Sequence, residues 1–269
     1  MTHMNNKPIG VFDSGLGGLT AVRELRKLMP DENIVYFGDT GRMPYGGRPR
    51  EQMRVIARQN IDFVERFDVK AVLVACGTIS STSPDILQAN KIKTIGVLTP
   101  GATELAATGK RRLGVIATEA SIKSGAFQKM IAELRPDASV LAAACPKFVP
   151  MIESGHCAAD DALVRSTVAS SLAAFKDYGV EALLLGCTHF GLIGDAISDF
   201  LGHDVQLIAA ADASARALAE YLRESGLAGG DGEERYYTSG SVSDFESLAP
   251  LMLGYKLKSG VKHVEPQPV

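Results

Sequence analysis

The chain has 269 residues, 46% of them hydrophobic and only 6% aromatic, with no Trp and a formal charge of −3; this is the composition of a globular protein long enough for one large domain or two smaller ones. That charge balance offers no electrostatic footprint for nucleic acid or an anionic membrane, and no apolar run approaches the roughly 18 residues of a membrane span. The polar start, residues 1–7, lacks the apolar stretch of a signal peptide, so a cytoplasmic protein is expected, with Cys76, Cys145, Cys157 and Cys187 as free thiols.

Short β-type runs alternate with helical patterns along most of the chain, which predicts α/β layers around parallel strands. Strands are expected at residues 8–12, 33–38, 71–75, 94–97, 113–117, 139–143, 182–186, 206–208 and 235–238. Helices are expected at 19–29, 51–66, 122–134, 159–177 and 211–225; the first carries Leu19, Val22, Leu25 and Leu28 at helical spacing. Pro100-Gly101 reads as a crossing between two lobes, and residues 209–211 as the return. The lobes would then be 1–99 with 209–269, and 100–208. Residues 226–234, rich in Gly and charge, read as an exposed loop.

The first strand runs out into Asp13-Ser14-Gly15-Leu16-Gly17-Gly18-Leu19-Thr20. A glycine-rich turn at a helix start exposes backbone N–H groups to which an anion such as a carboxylate can bind. A dinucleotide fingerprint fails because Thr20 stands at the final glycine, and no P-loop Lys follows. Asp13 points instead to an ammonium group or to proton transfer, unless Asp13-Ser14 simply caps the helix. The second strand leads into a loop, residues 38–47, whose Tyr45 and Gly46 suit a substrate wall or an ordinary surface turn.

Two cysteines sit in matching settings. Cys76 follows the apolar run Ala71-Val72-Leu73-Val74-Ala75 and precedes Gly77-Thr78; Cys187 follows Ala182-Leu183-Leu184-Leu185-Gly186 and precedes Thr188-His189. Each thiol should lie at the carboxyl end of a strand, where open α/β sheets bind ligands, and at a turn whose N–H groups favour a thiolate. Two opposed acid/base groups are what a proton needs to leave one face of a carbon and return on the other. A zinc site built from Cys76, Cys187, His189 and a carboxylate fits less well, because Cys-x-His is not a usual zinc spacing. Cys145 and Cys157 have no such setting and read as structural. Of the other histidines, His3 lies in a tail, and His156, His203 and His263 sit in polar or turn-like contexts. Glu153 ends an apolar helical stretch, either facing solvent or orienting His189.

Taken together, residues 10–20, the segment from Asp39 to Pro44-Tyr45-Gly46, Cys76-x-Thr78 and Gly186-Cys187-Thr188-His189 strongly resemble glutamate racemase, in the aspartate/glutamate racemase family. Tyr236-Tyr237-Thr238-Ser239-Gly240 is similar to that family's closing strand. The resemblance implies two similar α/β lobes, each with a mainly parallel sheet flanked by helices, and an active site in the cleft between them. It implies a cofactor-independent enzyme that supplies D-glutamate for peptidoglycan and so serves cell-wall biogenesis and cell shape. Its ligand would be a small acidic amino acid; no metal, nucleic acid or membrane is implied, and a homodimer is compatible with it. Cys76 would act on the D-enantiomer and Cys187 on the L-enantiomer, assisted by Asp13 and His189, with Glu153 supporting His189. Substrate contacts would come from Asp13, Ser14, Tyr45, Gly46, Gly77, Thr78, Thr118, Thr188 and His189.

The chain departs from the family at two places. Cys-Asn-Thr is usual where this chain has Cys76-Gly77-Thr78, and Thr-His-Tyr-Pro where it has Thr188-His189-Phe190-Gly191. The absent amide would remove a hydrogen bond to a charged group, worth about 1.5–3 kcal/mol. A racemase of aspartate or another acidic amino acid, and an amino-acid-binding relative with little turnover, are therefore the alternatives.

Overall fold

In the computed structural model, which describes residues 6–266 and 268, ten strands form two sheets, and all the strand pairs are parallel. They are β1 (Ile9–Asp13), β2 (Ile34–Gly38), β3 (Ala71–Val74), β4 (Thr94–Gly96), β5 (Arg112–Ala117), β6 (Ser139–Ala144), β7 (Ala182–Leu185), β8 (Gln206–Ala209), β9 (Glu234–Thr238) and β10 (Val261–His263). The first sheet has the order β10-β9-β2-β1-β3-β4, the second β6-β5-β7-β8. Fold class and strand positions agree with the sequence reading to within a residue or two, and β10 is additional. His3 lies outside the described residues.

Side chains alternate across the first sheet. Ile9, Val11 and Leu73 join a core that continues through Leu183 and Leu185 of the second sheet. Phe12, Val72 and Val74 face the other way and pack with Ile56, Ile61 and Val64 of the helix Arg50–Glu65. Strands buried on both faces read as continuous apolar runs, as β3 and β7 do. Two helices connect the sheets. The chain leaves the first through Leu98–Ala107 and returns through Ala210–Glu224, and these two helices pack on each other.

Three local expectations change. Pro100-Gly101 lies inside the helix Leu98–Ala107, where Pro falls in the first turn and removes no intrahelical bond. The single helix expected at 122–134 is two, Glu119–Ser124 and Ala126–Leu134, broken at Gly125 with φ +68. Residues 226–234 are not simply exposed: Gly230 and Glu234 are buried, and the segment is tied to the sheet's amino end. There Glu32 Oε1 accepts from the Gly229 N–H at 2.8 Å, Lys70 Nζ donates to the Gly229 carbonyl at 2.6 Å, and the fully buried Lys70 and Glu32 side chains form an ion pair. Removing one partner strands a buried charge, so Lys70→Met is expected to cost about 3–5 kcal/mol, with activity per folded molecule unchanged; urea unfolding alongside activity checks both. No helix among the described residues is long and apolar enough to cross a membrane.

Candidate active site

A cavity of about 600 Å³ opens between the carboxyl ends of the two sheets, a volume suited to a small ligand. It is walled by Asp13, Ser14, Tyr45, Gly46, Cys76, Gly77 and Thr78 from the first sheet's loops, and by Thr118, Glu153, Cys187, Thr188 and His189 from the second's. Every residue singled out from sequence for a site therefore reaches this one cavity.

On the first wall, β1 ends at Asp13 and β3 delivers Cys76 one residue beyond Ala75, whose N–H donates to the Phe12 carbonyl at 2.9 Å. Parallel pairing of β1 with β3 thus brings Asp13 and Cys76 to the same rim. Cys76 Sγ lies 3.7 Å from Ser14 Oγ. Asp13 Oδ2 accepts from the N–H groups of Gly18 at 2.9 Å and Gly15 at 3.3 Å. The glycine-rich turn expected to hold an external anion therefore has two of its donors turned to the chain's own carboxylate. Both acids are held toward their neutral forms: burial raises Asp13, against the pull of His189, and burial followed by the nearby Asp13 charge pushes the Cys76 thiol well up.

The second wall is organised around an imidazole. His189 Nε2 is 3.1 Å from Glu153 Oε1, and Nδ1 is 3.7 Å from Cys187 Sγ. Burial alone would pull the His189 pKa down, but its hydrogen bonds to Cys187 and Glu153 prevail and raise it to about 10. At neutral pH His189 is an imidazolium, able to donate to the sulfur on one side and the carboxylate on the other. Glu153 reaches it from the helix Phe148–Glu153, which is fastened by the edge-on packing of Phe148 against Phe190, ring centroids 5.1 Å apart.

The two walls also touch. Thr78 Oγ1 lies 3.1 Å from Thr118 Oγ1, and Thr20 Oγ1 donates to the Thr188 carbonyl at 3.0 Å. Tyr45 lines the cavity, but its hydroxyl bonds Asp39 and accepts from Asn60 Nδ2 at 3.1 Å. Asp39 in turn accepts from Arg42 Nε at 2.7 Å and Ser239 Oγ at 2.6 Å, which fixes the loop after β2. Cys145, read from sequence as structural, also lines the cavity; burial and then Cys187 push its thiol up to about 12. Its position directly after β6 was the available signal. Among the described residues, no group of three or more His, Cys, Asp and Glu side chains is placed to hold a metal ion.

Residues 20–218 match the family described as Asp/Glu/Hydantoin racemase. The chain belongs to that family. This racemase is 38% identical over 256 residues to glutamate racemase of Geobacter metallireducens, covering 93% of this chain and 94% of that one. It is 40% identical over 250 residues to glutamate racemase of Latilactobacillus sakei, covering 91% and 90%. The crystal structure of glutamate racemase from Francisella tularensis in complex with D-glutamate superposes with a TM-score of 0.89, at 36% identity, over 97% of this chain and 98% of that one.

Proposed function

We propose that this racemase interconverts L- and D-glutamate by two thiols acting on opposite faces of the α-carbon, without a cofactor. The observation that carries the reading is the cavity itself. Of the three thiols that line it, one from each sheet stands beside an acid/base side chain: Asp13 beside Cys76, and the Glu153-supported His189 beside Cys187. In one direction Cys187, as thiolate, takes the α-proton onto sulfur, and the Cys76 thiol gives its proton to the opposite face. The reverse direction exchanges the roles. Thr78, Thr118, Thr188 and Ser14 supply donors to the substrate's charged ends and to the carbanion, fixed in place before the reaction begins. That stabilisation takes the place of the electron sink a pyridoxal ring would provide.

Glutamate is favoured because the similar proteins reported above are glutamate racemases. In the same reading the enzyme works in the cytoplasm, supplies D-glutamate for peptidoglycan and is compatible with a homodimer. The working units are 1–99 with 209–269, and 100–208, a division supported by the membership of the two sheets. The test is an enantiomer-conversion assay over glutamate, aspartate and close analogues, paired with α-proton exchange in deuterated water. Turnover greatest on glutamate is expected. Turnover greatest on aspartate would move the substrate, and no exchange with any acidic amino acid would leave a binding protein.

A further inference from the structure

We infer that Gly77 sets the closest approach of the two lobes, and through it the separation of the Cys76 and Cys187 sulfurs. The inference rests on the two-thiol reading above and adds a positioning residue to it. A Cβ built on Gly77 would lie 2.4 Å from the carbonyl oxygen of Gly186 and 3.8 Å from the Cys187 Cα. Gly77 directly follows one thiol and Gly186 directly precedes the other, so this backbone contact spans the cleft one residue from each sulfur.

Neither side can retreat alone. The Gly186 N–H donates to the Ile116 carbonyl at 2.7 Å, and a Cβ there would already meet Ile116 O, Ala117 and Phe127 at 3.1–3.2 Å. On the other side, Gly77 opens the helix Gly77–Thr82, where Ser80 N donates to the Cys76 carbonyl at 2.9 Å and Ser81 Oγ to the Gly77 carbonyl at 2.7 Å. Any side chain at 77 must therefore separate the lobes as bodies. The missing amide noted from sequence is thus only part of what Gly77 means. An Asn could not stand here at this lobe separation, because its first carbon has no room.

In the exchange reaction one thiolate takes the α-proton, and the carbanion either receives a deuteron from the opposite S–D, giving inverted product, or is returned on the face it left. Return with deuterium requires the first thiol to trade its proton with solvent, which the carbanion's lifetime permits more often when the opposite thiol is farther away. Gly77→Ala is expected to lower kcat by roughly 10- to 100-fold, the scale of an ångström's misplacement, with a smaller change in KM. It should also raise the share of α-deuterium found in the unconverted enantiomer. That share is a ratio among turnovers, so it is independent of how much enzyme is folded. Gly17→Ala is the second wedge, since its Cβ would lie 2.3 Å from the His189 ring across the same cleft; it should move the share in the same direction. Wild-type kcat and an unmoved share in Gly77→Ala would overturn the role of Gly77. Cys76→Ser and Cys187→Ser variants that racemise normally would instead overturn the two-thiol reading beneath it.

Discussion

Cys76→Ala and Cys187→Ala are each expected to lower kcat/KM for racemisation by roughly 100- to 10,000-fold, the range by which a positioned acid or base accelerates proton transfer. The loss should be equal for the two enantiomers, because they have equal free energy and the overall equilibrium constant is one. Exchange separates the two thiols where racemisation cannot. Cys187→Ala leaves only the Cys76 face active, so it should exchange the α-proton of D-glutamate and not of L-glutamate; Cys76→Ala should show the opposite preference. The two half-reactions should not be equally easy to begin. Burial and the neighbouring Asp13 hold Cys76 toward its neutral thiol, so in the proposed mechanism the resting enzyme carries its proton donor on the Cys76 face. Both sulfurs are buried behind intact strand ends, and circular dichroism of the variants should match that of the wild type. Racemisation persisting at the wild-type rate in either variant would remove that thiol from the mechanism.

His189→Asn should lower kcat/KM by about 100-fold, and it carries a second, pH-dependent signature. His189 is an imidazolium in the folded protein up to about pH 10, whereas in the unfolded chain it loses its proton near 6.5. A group whose pKa is raised by folding contributes stability that is complete below the unfolded pKa and is lost as pH rises through the folded one. The wild-type advantage in Tm over His189→Asn should therefore be largest below about pH 6.5 and shrink steadily toward pH 10. Thermal unfolding of both proteins across that range is the measurement. A gap independent of pH would mean that folding does not raise the pKa of the buried imidazole, and that the Glu153–His189–Cys187 chain is not charged as described.

What could be read from the residues was what periodicity and strand ends encode. Buried parallel strands are apolar runs, so β3 and β7 stood out, and with them the two cysteines that follow. The residues proposed for the site all reach one cavity because each lies at or just beyond a strand's carboxyl end, in the loop that follows β2, or in the helix that carries Glu153. What escaped was tertiary. The helix Leu98–Ala107 was obscured by Pro100-Gly101, a pair that marks a turn in most contexts but is tolerated in a helix's first turn. β10 is three residues long, partly polar and paired at the sheet edge, too short for a pattern. Cys145 looked isolated because its partner in space, Cys187, follows a strand that pairs with β5 rather than β6. The spatial meaning of Gly77 depends on Gly186, which no spacing in the chain connects to it.

The buried Lys70–Glu32 pair precedes β3 and β2, whereas Cys76 and the Asp39 loop follow the same two strands. The sheet is thus clamped at one rim and opens onto the cavity at the other, with the strand lengths between them. Substitutions that retune the ligand at the carboxyl rim draw on a foundation they do not touch, because side chains that far apart and sharing no partners contribute nearly independently to stability. An enzyme built this way can accumulate changes in its pocket, Gly77 among them, without each one being also a test of whether the protein folds.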